Sequence, residues 1–253
     1  MDLANKTAVI TGAGRGIGRA IAARLGKSGA RIALIDVNEK DLETSRAELE
    51  AAGTGARVYP ADVSSEEQVV ATMQRIVADF GWLDILVNNA AIVKDDLLVK
   101  VKDGQVVGKM ALADWQAVLN VDLTGVFLCG REAAAHMIQL GQGGVIVNLS
   151  SISRHGNMGQ SNYSAAKAGV VALTATWAKE LAPHRIRTGA IAPGGTRTDI
   201  VSRMRQPLLA KLLEKVPLQR LAEPAEIAEA AAFIVGNEFF TGRCIDLDGG
   251  TGL

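Results

Sequence analysis

Short runs of Val, Ile, Leu and Ala alternate along this chain with longer stretches in which apolar residues return every three or four positions. The short runs suit strands buried on both faces and the longer ones suit amphipathic helices, so the pattern predicts βαβ units around a parallel sheet. Seven strands are expected, at Thr7–Thr11, Arg31–Ile35, Arg57–Pro60, Ile85–Val87, Val145–Leu149, Arg187–Ile191 and Arg243–Leu247. Between them, Val69, Val70, Met73, Ile76, Val77 and Phe80 make one helical stripe. Tyr163, Lys167, Val170, Val171, Thr174, Ala178 and Leu181 make another. Ser64-Ser65-Glu66-Glu67 reads as a capping box, and Pro224 as a proline in a first helical turn. Residues 94–110 break the pattern, alternating Val and Lys around Asp103-Gly104, which predicts a small hairpin. Two roles stay open for it, a solvated excursion or a flap or subunit contact beside a site.

Composition narrows the class. The chain has 253 residues, 48% of them apolar, and no net charge, enough for a full core and without the basic excess that nucleic-acid binding needs. No repeat, low-complexity tract or linker interrupts it, so one domain over 1–253 is expected. The first residues lack the layout of a signal peptide, and no apolar run approaches about 18 residues. A cytoplasmic protein with no membrane partner is the expectation. Cys129 and Cys244 stand far apart in apolar contexts, and His136, His155 and His184 are scattered. Buried reduced thiols and no metal site follow. His155, between two serines and Tyr163, could line a pocket mouth.

The chemistry begins at Thr11-Gly12-Ala13-Gly14-Arg15-Gly16-Ile17-Gly18, directly after the first strand and before a helical pattern. Glycine lets the backbone turn sharply and lets a phosphate approach, and the helix start then offers N–H groups and a positive dipole end. This strand–turn–helix context points to a dinucleotide. Asp36 closes the second strand, where a carboxylate accepts from a ribose 2′-hydroxyl and repels a 2′-phosphate, so NAD is expected over NADP. Arg15 pulls the other way, since it could meet a 2′-phosphate. Pairing with phosphate or solvent is an equal reading, and a carboxylate there costs more to desolvate against an anion than a mobile arginine returns. Asp62-Val63 and Asn88-Asn89-Ala90-Ala91 close the third and fourth strands, near the adenine and the ribose. Asp62 beginning a turn, and Asn88 and Asn89 satisfying backbone groups, are the competing readings.

Tyr163 and Lys167 are four residues apart on the second stripe, which puts their β-carbons roughly 5–6 Å apart on one helix face. A free phenol ionises near pH 10, and a neighbouring cation favours the phenolate, so the pair is a candidate acid/base device.

The ordered set of the glycine turn, Asp62-Val63, Asn88-Asn89-Ala90, Ser150-Ser151, Tyr163-x3-Lys167, Pro193-Gly194, Thr241-Gly242 and Asp248-Gly249-Gly250 resembles the short-chain dehydrogenase/reductase family over essentially the whole chain. Within it, the 3-oxoacyl-(acyl-carrier-protein) reductase branch and its ketone-reducing relatives are the nearest likeness. The resemblance implies a single-domain Rossmann-type doubly wound α/β sheet of about seven parallel strands with helices on both faces, hydride exchange at a nicotinamide, and a homotetramer. It implies Tyr163 as general acid/base, Lys167 on the nicotinamide ribose, and a serine orienting the substrate oxygen. It places Gly12, Arg15, Gly16, Ile17, Gly18, Asp36, Asp62, Val63, Asn89, Ala90, Pro193, Gly194, Thr196 and Thr198 around the coenzyme.

Three departures matter. Asp122 stands where the family has asparagine, in Asn120-Val121-Asp122-Leu123-Thr124-Gly125. Its backbone carbonyl could still serve a proton relay, and its carboxylate would hold Lys167 charged, so Asp122 joins the candidate catalytic set. Counting along the strand favours Ser151 as the substrate serine, while counting back thirteen residues from Tyr163 gives Ser150. Ser151 is preferred because a loop loses a residue more easily than a strand slips. Ala91 for glycine and Thr188-Gly189 for Val-Asn read as local packing changes.

The expected activity is hydride exchange between NAD(H) and a secondary alcohol or ketone, with a 3-oxoacyl thioester as one candidate. A non-catalytic dinucleotide sensor and a sugar-nucleotide epimerase or dehydratase are the alternatives. The first must explain why serine, tyrosine and lysine are all present, and the second why only about sixty residues follow Pro193. Residues 194–220 are expected to form a substrate-side helical flap, its Leu- and Ile-rich face suited to an acyl chain or bulky ketone.

Overall fold

The computed structural model describes residues 2–198, 210 and 213–252. Its strands are β1 (Thr7–Thr11), β2 (Arg31–Asp36), β3 (Ala56–Pro60), β4 (Ile85–Asn88), β5 (Val99–Lys102), β6 (Gln105–Lys109), β7 (Gly144–Leu149), β8 (Ile186–Pro193) and β9 (Arg243–Leu247). Seven of them form one parallel sheet in the order β3-β2-β1-β4-β7-β8-β9. All seven predicted strands are present, several of them extended, β8 by three residues and others by one. The helices are α1 (Gly16–Lys27), α2 (Glu39–Ala51), α3 (Glu66–Phe80), α4 (Leu112–Leu119), α5 (Gly125–Leu140), α6 (Ser161–Glu180) and α7 (Pro224–Gly236).

Alternate residues of each strand feed opposite layers, as the pleat requires. Ala8, Ile10, Ile32, Leu34, Ile85, Val87, Val145 and Val147 pack with Ile21 and Leu25 of α1, Leu42 of α2, and Ile227 and Ile234 of α7. Val9, Ala33, Ile35, Leu86 and Ile146 pack with Val69, Met73 and Ile76 of α3, Leu128 and Met137 of α5, and Val170 and Trp177 of α6. Burial on both faces is why these strands carry continuous apolar runs. Gly189 on β8 lets α7 come close, since a β-carbon there would meet Ile234 Cγ2 at 2.6 Å. Thr188 beside it donates its hydroxyl to the Thr174 carbonyl at 2.7 Å.

The connections reverse direction between β1 and β4, so the C-terminal ends of these strands open a crevice, the place where such sheets bind ligands. Hairpin β5–β6 stands outside the sheet, turning at Asp103 (φ +51°) and Gly104 (φ +75°). Its root is tied to the segment before α6. Asp96 N–H donates to the Gly159 carbonyl at 2.8 Å, and Gln160 Nε2 donates to Asp95 at 3.1 Å.

Two expectations need correction. Ser65 does cap α3, but the reciprocal arm is absent: Gln68 Oε1 accepts from Asp62 N–H rather than from the cap. The reciprocal box occurs instead at Glu223 and Glu226, around Pro224. Cys129 is buried as expected, whereas Cys244 is half-exposed, 3.5 Å from Arg154 Nη1. About half of the expected flap, residues 199–209, 211 and 212, lies outside the described residues.

Candidate active site

The glycine turn is held by its neighbours as much as by its own conformation. Gly12 (φ +63°) and Gly16 (φ +57°) occupy the left-handed region. A β-carbon on Gly18 would lie 2.2 Å from the Gly12 carbonyl oxygen and 2.6 Å from Asn89 Nδ2, so only glycine permits that contact. Asn89 Nδ2 donates to the carbonyls of Thr11 and Gly12, each at 3.0 Å. Thr11 Oγ1 accepts from the N–H groups of Asn89 and Ala90, also at 3.0 Å. Behind the turn, the buried Ser45 hydroxyl faces the carbonyls of Ala13 and Gly14 at 3.0 and 2.9 Å. Thr11 opens the sequence motif, but the work of its side chain, like that of Ser45, is visible only in the fold. Ser45 could have been singled out, as a small polar residue on the apolar stripe of Leu42 and Leu49.

The open side of this turn is where a dinucleotide fits. Among the described residues, a β-carbon on Gly16 would touch only Thr198, with Cγ2 at 3.6 Å, which suits approach to the backbone there. Arg15 makes no side-chain cap to α1, and that helix has no acid in its first turn, which suits a pyrophosphate at its N-terminus. Asp36 is fixed by two backbone donors, Gly14 N–H to Oδ2 and Asn38 N–H to Oδ1, each at 3.1 Å. Its carboxylate keeps acceptor capacity at the end of β2. Ile17 is half-buried against the core. Asp62 Oδ1 accepts from the Ser64 N–H and hydroxyl, so it does begin a turn. Val63 is buried against Gly125. Thr196 is buried with its hydroxyl on the Gly194 carbonyl at 3.2 Å, and Gly194, after Pro193, packs against Asp248.

Tyr163 and Lys167 lie at the N-terminal end of α6, against the end of β7. Lys167 is almost fully buried, and its Nζ is 5.4 Å from the Tyr163 ring centroid. Burying an ammonium is costly without partners, and two are supplied. Nζ donates to the Leu149 carbonyl at 3.1 Å and forms an ion pair with Asp122 Oδ2 at 3.3 Å. Asp122 has no exposed surface and sits in a five-residue π-helical turn, Asn120–Thr124, between α4 and α5. Such turns insert an extra residue and re-aim side chains, often at functional sites. Asp122 Oδ1 accepts from Ile92 N–H at 2.8 Å. Burial pushes the Asp122 carboxyl above the ordinary carboxylate range, although Lys167 and the Ile92 bond draw it back.

The two serines differ. Ser150 is buried and donates its hydroxyl to the Lys167 carbonyl at 2.8 Å. Ser151 is half-buried, and its Oγ accepts from Ser153 N–H at 3.1 Å, leaving its proton for another acceptor. Beneath them Asn88 Nδ2 donates to Asn148 Oδ1, and Asn148 Nδ2 to Thr174 Oγ1, each at 2.9 Å, joining β4, β7 and α6. His155 is exposed in the short turn after Ser151. Among the described residues no cluster of His, Cys, Asp or Glu could hold a metal ion.

The model of the family described as enoyl-(acyl carrier protein) reductase matches residues 12–252. The 3-oxoacyl-[acyl-carrier-protein] reductase FabG of Thermotoga maritima is 37% identical over 253 residues, covering 99% of each chain. The cis-4-hydroxycyclohexanecarboxylate dehydrogenase of Sinomonas cyclohexanicum is 41% identical over 252 residues, covering 98% of this chain and 96% of its own. A short-chain type dehydrogenase/reductase from Mycobacterium marinum superposes with a TM-score of 0.90 at 33% identity, over 99% of this chain and 96% of that one.

Proposed function

The chain belongs to the short-chain dehydrogenase/reductase family, and from that premise we propose that Tyr163 is the general acid and base of a nicotinamide-linked interconversion of a secondary alcohol and its ketone. The observation that carries this assignment is the buried Lys167 ammonium 5.4 Å from the Tyr163 ring, at the edge of the crevice. A bound nicotinamide supplies or accepts the hydride. Tyr163 gives its proton to the carbonyl oxygen in reduction and takes one from the alcohol in oxidation. Ser151 donates to the same oxygen and orients it. The inward bond of Ser150 to the Lys167 carbonyl favours Ser151 for that part. Leu149 takes one Lys167 N–H and Asp122 Oδ2 stands 3.3 Å away as its ion partner, which leaves N–H capacity for the ribose.

We read the coenzyme as NAD rather than NADP, because Asp36 ends β2 with a carboxylate that two backbone bonds hold in place and that would repel a 2′-phosphate there. Gly12, Arg15, Gly16, Ile17, Gly18, Asp62, Val63, Asn89, Ala90, Pro193, Gly194, Thr196 and Thr198 complete that site. Asn89 contributes through the turn it ties, since its amide is spent on Thr11 and Gly12. The substrate is a ketone of the acyl-thioester or cyclic type, the two classes that the relatives' names offer. One domain carries both the coenzyme and the chemistry. It assembles as a homotetramer, a reading supported by exposed Phe127 and Ile138 on α5 and by Phe239 beside the open edge of β9. Light scattering at working concentration tests the tetramer.

The deciding assay mixes the protein with NADH or NADPH and either an acetoacetyl thioester or a cyclic ketone. Oxidation of NADH with at least one ketone is expected, faster than that of NADPH. No oxidation of either coenzyme with any ketone would overturn the reading.

A further inference from the structure

We infer that Asp122 is a positioning residue that shares the Lys167 ammonium with Tyr163, so that its charge biases the site toward carbonyl reduction. The inference rests on the proposed role of Tyr163 and adds to it a direction. A single buried cation faces two acidic groups, Asp122 Oδ2 at 3.3 Å and the Tyr163 ring at 5.4 Å. Whatever negative charge Asp122 carries opposes the formation of a second one on the phenol. The carboxylate cannot swing away, because Oδ1 is fixed by Ile92 N–H and the side chain is wholly enclosed. Asparagine would keep that bond and the shape but remove the charge.

Few other charges reach this pair. On α4, Asp114 lies 3.8 Å from Lys94 of the loop after β4, and both are substantially exposed. Asp95 and Asp96 of the same loop bond to Gln160 and Lys100. Arg154, beyond Ser151, is paired with Asp246, and His155 beside it is exposed. β7 presents only the Leu149 carbonyl to Nζ. Asp122 is therefore the one anion buried against Lys167 among the described residues.

The chain offers a direct reading, because it has only two tyrosines, Tyr59 and Tyr163. Burial and its bond to Asp79 at 2.8 Å hold the Tyr59 phenol far above the ordinary range. Tyrosinate absorbance of the ligand-free protein, followed against pH, thus reports Tyr163. The experiment compares the parent with Asp122→Asn and Asp122→Ala, adding pH–rate profiles in both directions. Both variants should move the tyrosinate step to lower pH by about one unit, the scale of one buried charge. The acid limb of oxidation and the alkaline limb of reduction should move with it. At a pH below the parent's limb, relative oxidation then rises about tenfold against each protein's own plateau. A step that stays in place in both variants while rates fall, or moves only in the alanine variant, would assign Asp122 a purely structural role and overturn the inference. Tyr163→Phe separates this from failure of the underlying reading: it should remove the tyrosinate step and the turnover together. If turnover survives in Tyr163→Phe, it is the assignment of Tyr163 that falls, and with it this inference.

Discussion

The two halves of the crevice are built by opposite means. At the ends of β1 and β4, backbone does the work: Gly12, Gly16 and Gly18 shape a turn, and Thr11, Ser45 and Asn89 spend their side chains holding it. At the end of β7, side chains do the work: Lys167, Asp122 and Ser150 bury charge and hydroxyl around one face of α6. A site made of backbone fails through shape, whereas a site made of charges fails through electrostatics. The contrast decides what each substitution should do.

The largest effect is expected at the glycine turn. Gly18→Ala puts a methyl 2.2 Å from the Gly12 oxygen, and forcing the turn apart should cost about 1–3 kcal/mol of stability and abolish coenzyme binding. Calorimetric melting with and without NADH checks it; an alanine variant that binds as the parent does would show that the turn is not shape-limited. On the charge side, Ser151→Ala should lower turnover by about 10²–10³-fold with folding intact, as loss of one oxyanion donor does. Ser150→Ala should act chiefly on stability, by about 1 kcal/mol, through its lost bond to the Lys167 carbonyl. Turnover lost in Ser150→Ala but kept in Ser151→Ala would reverse the assignment. Asp36→Asn keeps the size but not the charge, and should cut the NADH-over-NADPH preference by about tenfold, read as a ratio of kcat/KM values.

The smallest effect is a slope. Asp122 titrates above the usual carboxylate range because burial outweighs Lys167. A carboxyl raised on folding contributes stability that is present below its unfolded value and lost as pH rises through the folded one. The melting temperature of Asp122→Asn relative to the parent should therefore climb as pH rises from the acid range toward neutrality. A difference independent of pH would contradict that sign.

Much of this was legible in the sequence, and the two halves were legible to different degrees. The inner strands were visible because burial on both faces leaves continuous apolar runs, whereas the edge strands β3 and β9 are only partly buried and showed as short Val- or Ile-containing runs. Asp103-Gly104 announced its hairpin through turn chemistry. The glycine spacing and the four-residue step from Tyr163 to Lys167 are local signals. The ties between distant segments are not. Asn89 reaches Thr11, Ser45 reaches Ala13, and Asn148 reaches Thr174 across many residues, and nothing in a local period encodes such partners. The facing of Ser150 and Ser151 likewise depends on where the last pleat of β7 ends. Asp122 stood out only as a departure from a family pattern; its burial and its hold on Ile92 came from the fold.

The central claim is that the Tyr163 phenol handles the proton in a crevice whose coenzyme site is independently built. Its most direct test is Tyr163→Phe, measuring NADH binding and ketone reduction on the same sample. The account predicts binding within about twofold of the parent and reduction slower by about 10²–10⁴-fold, the range of general acid catalysis. Reduction at the parent's rate with binding intact would contradict it.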